Sequence, residues 1–160
     1  MNSKLMKFAS LILILGMLLT FLAACSSAAK TTEAPTSEEV AEPSNPGGPG
    51  DAINLTGDAT AGATVYTDQC AKCHGDQGKG GVQNPGSTDG TVPPLNPIDS
   101  TMVSSDYKTF ATNIDKFIEH GSTPEGDNPA KVMTAFGDQK TLTPQQIADV
   151  IAYVISLNKK

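Results

Sequence analysis

The sequence predicts an all-α domain that closes around something other than its own side chains. Three observations predict it. Three segments carry apolar residues at helical spacing, and nothing reads as a long alternating strand. Residues 75–105 hold six Gly and four Pro with no period, a length of structureless chain that a compact domain rarely tolerates. Aromatic residues make up only 5% of the 160, and there is no Trp, so the chain is short of material for a core.

The chain opens with an address. Lys4 and Lys7 precede an apolar run from Phe8 to Ala24, the pattern of an export signal. The run ends in Leu22-Ala23-Ala24-Cys25, which resembles the lipobox of bacterial lipoproteins, in which the cysteine is lipidated and becomes the new N-terminus. An uncleaved membrane helix and an ordinary signal peptide are the alternatives; 17 residues is near the lower limit for a span. Each of the three puts the remaining chain outside the cytoplasm. The expected organisation is a signal peptide at 1–24, a lipidated Cys25 with a tether at 25–52, and one domain at 53–160. Cleavage removes two lysines and no acids, taking the formal charge from −6 to −8.

In residues 26–52, all but Lys30, Val40, Asn45 and Asp51 are Ala, Ser, Thr, Pro, Gly or Glu. With one branched aliphatic, the segment is expected to be disordered, because it has too little apolar surface to offset its ordering entropy. As a flexible coil it would reach roughly 30 Å, and about 90 Å at full stretch.

Three helices follow. The first is expected at 59–70, with Asp58 as N-cap and Gly62, Tyr66 and Cys70 on one face. The second is expected at 106–119, where Tyr107, Phe110, Ile114, Phe117 and Ile118 keep helical spacing and Gly121 stops it. The third, at 144–158, opens on Thr143-Pro144-Gln145-Gln146, a capping box with Pro at the first helical position.

Cys70-Ala71-Lys72-Cys73-His74 names the missing core. CxxCH is the attachment sequence of c-type haem. Two sulfurs three residues apart, close to one helical turn, reach the two vinyl groups on one porphyrin edge, and the next residue turns its imidazole onto the iron. A thioredoxin-like CxxC would want a βαβ context, absent from this sequence. A structural disulfide is a further alternative. A zinc site wants four ligands, and the other histidine, His120, is 46 residues away.

Beyond CxxCH, residues 57–160 resemble the class I monohaem cytochromes c. Gly57-Asp58-Ala59 and Gly62-Ala63-Thr64-Val65-Tyr66 are similar to the family's N-terminal helix, whose Gly and aromatic pack on an aromatic of the C-terminal helix; Tyr153 is the expected counterpart. Val92-Pro93-Pro94-Leu95 resembles Gly-Pro-x-Leu, where a proline carbonyl accepts the proximal histidine's hydrogen bond. The resemblance assigns this to Pro93, with Pro94 as the alternative because Val92 replaces the usual Gly. Met133-Thr134-Ala135-Phe136-Gly137 resembles the Met-Pro-Ala-Phe loop that supplies the second axial ligand, with Thr134 in place of Pro. The fold implied is the cytochrome c fold: three main helices and a long loop around one haem, covalent through Cys70 and Cys73.

The residues themselves leave four candidates for the sixth ligand: Met102, Met133, His120 and a lysine. Met133 lies 59 residues beyond His74, in the loop between the second and third helices, and is preferred. Met102 reads as gap-filling or surface, and His120 as a cap on the second helix.

His and Met together saturate the iron, which leaves one-electron exchange rather than catalysis. The expected function is a c-type electron carrier, not an enzyme, shuttling between membrane redox complexes on the periplasmic or outer face. Its donor would be a quinol-oxidising complex, and its acceptor a terminal oxidase or photosynthetic reaction centre. The alternatives are a tethered subunit of such a complex, or a haem enzyme or gas sensor with an open iron. All 11 cations are lysines, and a net −6 excludes a nucleic-acid binder. A monomer is expected. Lys72, Lys79, Lys131 and Lys140 are placed to ring the haem edge and orient a partner.

Overall fold

The computed structural model describes residues 42–159, all within one compact unit, Glu38–Lys160. The signal peptide and Cys25 lie outside the described residues. Among the described residues the architecture is helical, with only two isolated bridges, Gln83 to Thr91 and Ser122 to Met133. This is the all-α cytochrome c arrangement that the sequence predicts.

Helix α1 spans Ala59–Val65 and continues as a π turn, Tyr66–Cys70, into the short α2, Ala71–His74. Asp58 caps α1: its Oδ1 accepts from Thr60 N at 2.7 Å and Ala61 N at 3.3 Å. Helix α3 spans Tyr107–His120, capped by Asp106, and α4 spans Pro144–Leu157. The capping box of α4 forms as its sequence requires: Gln146 N donates to Thr143 Oγ1 at 3.3 Å, and Thr143 N donates to Gln146 Oε1 at 2.9 Å.

The core is the meeting of α1, α3 and α4. Ile147, Val150, Ile151, Val154 and Ile155 of α4 are all buried against Tyr66, Phe110, Ile114 and Ile118. Burying each such aliphatic contributes about 1.5–3 kcal/mol, which makes α4 the principal hydrophobic element. α1 approaches α4 backbone to backbone because Gly62 has no side chain. A Cβ there would lie 1.9 Å from Asp149 O. One turn on, the rings of Tyr66 and Tyr153 sit 5.2 Å apart and tilted by 51°, a favourable aromatic geometry.

The long loop is not structureless. It contains single 3₁₀ turns at Asp76–Gly78 and Ser100–Met102. Gly78 O accepts from Leu95 N and Asn96 N, at 2.7 and 2.9 Å. Asn158, the C-cap of α4, donates from Nδ2 to Leu95 O at 2.8 Å and accepts from Ile98 N at 3.0 Å. The loop is thus pinned by backbone partners rather than by a helix or strand of its own.

The boundary expected at residue 52 differs from the structure, which places residues 42–52 against the domain. Lys116 Nζ meets the Glu42 carboxylate at 2.9 Å, Asn45 Nδ2 donates to His120 O at 2.7 Å, and Gly50 N donates to Asp115 Oδ2 at 2.6 Å. Composition alone misses this, since the contacts are made by backbone groups and short polar side chains that carry no periodic signal.

Candidate cofactor site

A cavity of about 380 Å³ opens between the helices and the loop, within the range of cofactor sites. Cys70 lines it from the π turn, Cys73 and His74 from α2, and Pro93 and Met133 from loops. The apolar wall comes from Ile114, Phe117 and Ile118 of α3, Val150 and Val154 of α4, and Val92, Leu95 and Ile98 of the long loop.

The π turn sets the angle at which the CxxCH segment leaves α1. One residue more per turn than the α-helix rotates the following side chains relative to the straight periodicity, as such insertions do at many functional sites. Tyr66 fixes this turn from inside. Its ring is buried against Tyr153, and its hydroxyl donates to Gly75 O at 2.8 Å, just past His74. Burial is the main cause of its phenol being pushed up to about 12, so it is a permanent donor.

Cys70 and Cys73 are half-buried and not joined to each other. Burial pushes the Cys70 thiol up to about 11, with the neighbouring Cys73 adding to the rise. The His74 imidazole is lowered from its ordinary value by burial, against a smaller opposing effect of Pro93. Its Nδ1 lies 3.0 Å from Pro93 O. A carbonyl only accepts, so Nδ1 carries the proton and Nε2 keeps its lone pair. Pro94, the alternative, also lines the cavity, but the contact is to Pro93.

Met133 reaches the cavity from a segment stitched onto the end of α3. Its backbone exchanges hydrogen bonds with Ser122: Met133 N to Ser122 O at 2.8 Å, and Ser122 N to Met133 O at 3.2 Å. Gly121 ends α3 with φ 70°, and a Cβ there would lie 2.5 Å from Met133 O. The terminal carbonyls of α3 find their donors in this same segment, with Phe136 N on Ile118 O at 2.9 Å and Asp138 N on Glu119 O at 3.1 Å.

The donor set suits a porphyrin rather than a bare ion. Among the described residues no cluster of three or more His, Cys, Asp or Glu could hold a metal by itself. What converges instead is two thiols one helical turn apart, one neutral imidazole, one thioether and an apolar wall.

The chain matches the cytochrome c family over residues 59–158. It belongs to the cytochrome c family. As a member it carries covalently attached haem c and transfers electrons. Among curated proteins it is similar to a cbb3-type cytochrome c oxidase subunit CcoP of Azospirillum sp. (strain B510), 35% identical over 114 residues, covering 67% of this chain and 33% of that one. The cbb3-type oxidase subunit FixP of Sinorhizobium medicae (strain WSM419) is 32% identical over 102 residues, covering 62% and 30%. The chain therefore spans about a third of the length of these relatives. No solved structure gives a significant match.

Of the other candidates, Met102 shares the cavity and His120 does not line it. Met102 is buried and lines the cavity from the 3₁₀ turn at Ser100–Met102. His120 does not cap its own helix as expected. Its Nδ1 lies 2.9 Å from Asp138 Oδ2 and its Nε2 2.7 Å from Gly48 O. Of the four lysines, Lys72 and Lys131 line the cavity, whereas Lys79 and Lys140 are exposed away from it. Sequence reasoning missed Asn84, buried at 1% exposure on the cavity rim. Its setting in Asn84-Pro85-Gly86 announces a turn but not the partner it binds.

Proposed function

We propose that this cytochrome c is a one-electron carrier with haem attached through Cys70 and Cys73 and held axially by His74 and Met133. Bound haem c supplies one reversible electron. The residues supply everything else. The proton held at His74 Nδ1 by Pro93 O orients the ring and leaves Nε2 as the donor atom. The Met133 thioether, a soft ligand, favours the reduced state and raises the potential. The aliphatic wall excludes water and disfavours extra charge. The backbone bonds that fix Met133 and the long loop limit rearrangement on electron transfer. The observation that carries this reading is the convergence of the CxxCH residues, Pro93 and Met133 on one apolar cavity.

The protein works on the outer face of a bacterial membrane, held by a lipid on Cys25. Among the described residues no helix is long and apolar enough to cross a membrane. The relatives favour a second feature. They are named as subunits of a cbb3-type oxidase, which supports a tethered partner of a respiratory complex better than a free shuttle. Solubilising membranes in mild detergent and isolating the full chain by a C-terminal tag tests both. Co-purification with a terminal oxidase, and incorporation of labelled palmitate into the wild type but not into Cys25→Ser, are expected. A wild type that takes up no label would overturn the lipid anchor, and isolation without an oxidase would return the reading to a shuttle.

A further inference from the structure

The two loops that carry Pro93 and Met133 are joined by one buried side chain. Asn84 Nδ2 donates to Lys131 O at 3.0 Å, and Lys131 N donates to Asn84 Oδ1 at 2.7 Å. Both partners belong to one residue, so the planar amide copies the pairing of a neighbouring strand. Only one orientation of the amide satisfies both. Lys131 is two residues before Met133.

On its other side, Asn84 is bound into the loop that leads to Pro93. Its N–H donates to Gly90 O at 2.9 Å, and its carbonyl accepts from Ser87 Oγ at 2.8 Å. Val92 N donates to Val82 O at 2.8 Å, closing this loop directly before Pro93. A continuous set of bonds therefore runs from His74 through Pro93 and the 82–92 loop to Asn84, Lys131 and the Met133 segment.

We propose that Asn84 is a positioning residue that locks the Met133 segment to the Pro93 segment, and so governs how readily an outside ligand displaces Met133. This rests on Met133 being the axial ligand. Neighbouring backbone bonds, Ala130 N to Pro85 O at 2.9 Å and Thr88 N to Glu125 O at 2.7 Å, do not depend on the Asn84 side chain and keep the loops together in its absence. Removing the amide strands a buried N–H and C=O of Lys131 two residues from the ligand, which loosens that stretch.

The test is a titration of the oxidised full-length holoprotein with imidazole, followed in the Soret band, with amide hydrogen exchange at Lys131 and Met133 read alongside. Asn84→Ala, which removes both hydrogen bonds, is expected to bind imidazole about tenfold more tightly, the scale at which one of the two is felt at the ligand, and to exchange faster at both amides. Met133→Ala separates the two claims. If it leaves imidazole affinity unchanged, the ligand assignment falls. If it raises the affinity while Asn84→Ala matches the wild type, the positioning role falls. Should Asn84→Ala fail to mature with haem, Asn84→Asp keeps the volume and the acceptor but removes the donor to Lys131 O when ionised. It is expected to bind imidazole more tightly than the wild type, and wild-type affinity would overturn the proposal.

Discussion

At the scale of single residues, the site depends on atoms that are missing as much as on those present. Gly62 lets α1 lie against the backbone of α4, and a methyl group there would meet a carbonyl oxygen rather than a yielding side chain. Gly62→Ala is expected to push the helices apart and to cost about 1–3 kcal/mol, as overpacking does. The check is the thermal midpoint of the holoprotein; an unchanged midpoint would show that α1 and α4 do not meet at Gly62. Because Tyr66 follows one turn later, the same shift would reach the ring pair and the hydroxyl that hold the π turn. His74 shows a similar economy. One carbonyl, Pro93 O, settles which nitrogen bears the proton. Both the glycine and the CxxCH triplet were legible in the sequence, since their chemistry is local. Asn84 was not, because its meaning lies in a residue 47 positions away.

Among the elements, helix α3 is where segments from both ends of the described chain meet. Its last turn receives the Met133 segment on one side and residues 42–50 on the other. His120 joins the two, with Asp138 and Gly48 O at its two nitrogens. Both partners only accept, so the full pairing needs the doubly protonated ring. The hydrogen bond that His120 donates to Asp138 chiefly, and the one it donates to Gly48 O next, raise its pKa above the ordinary value. A raised histidine contributes stability that is complete below its unfolded value and is lost as pH rises through the folded one. Asp115 works in the same direction. Burial pushes its carboxyl up to about 6, aided by Glu119 and Asp51 and opposed by the Gly50 hydrogen bond and His120. The contribution of its protonated form is complete below the ordinary carboxyl value and is lost as pH rises from about 4 to about 6. Residues 42–50 are therefore expected to lose amide-exchange protection in two windows, from about 4 to 6 as Asp115 ionises and again from about 6.5 past the folded His120 value, with His120→Ala flattening the upper window. Protection independent of pH in the wild type would contradict the role given to His120.

The helices themselves were legible because caps and spacing are read within one turn: Asp58 and the Thr143 capping box sit where expected. The π turn was not, since Gly62, Tyr66 and Cys70 satisfy α-helical spacing in sequence and the change of register is a tertiary demand. Residues 42–52 also escaped, as their partners on α3 lie more than 60 positions away.

The whole molecule is a small helical domain whose interior is completed by its cofactor. A chain with 5% aromatics and a 31-residue loop leaves a cavity of about 380 Å³, and Cys70, Cys73, His74, Pro93 and Met133 converge on it. The fold class followed from that shortage of core as much as from the helices. A redox complex as the class of partner followed from the chemistry of the sequence, but the docking surface did not, because net charge and scattered lysines do not encode a docking geometry. Relatives named as oxidase subunits supplied that direction.

The central claim is that one imidazole and one thioether saturate the iron and leave it to electron transfer. It is tested most directly by the near-infrared absorption of the oxidised holoprotein, wild type and Met133→Ala, with carbon monoxide added to each reduced form. The account predicts a methionine-to-iron charge-transfer band that Met133→Ala abolishes, and carbon monoxide binding only in the variant. A wild-type spectrum without the band, or with carbon monoxide bound at neutral pH, would contradict it and point to an open iron.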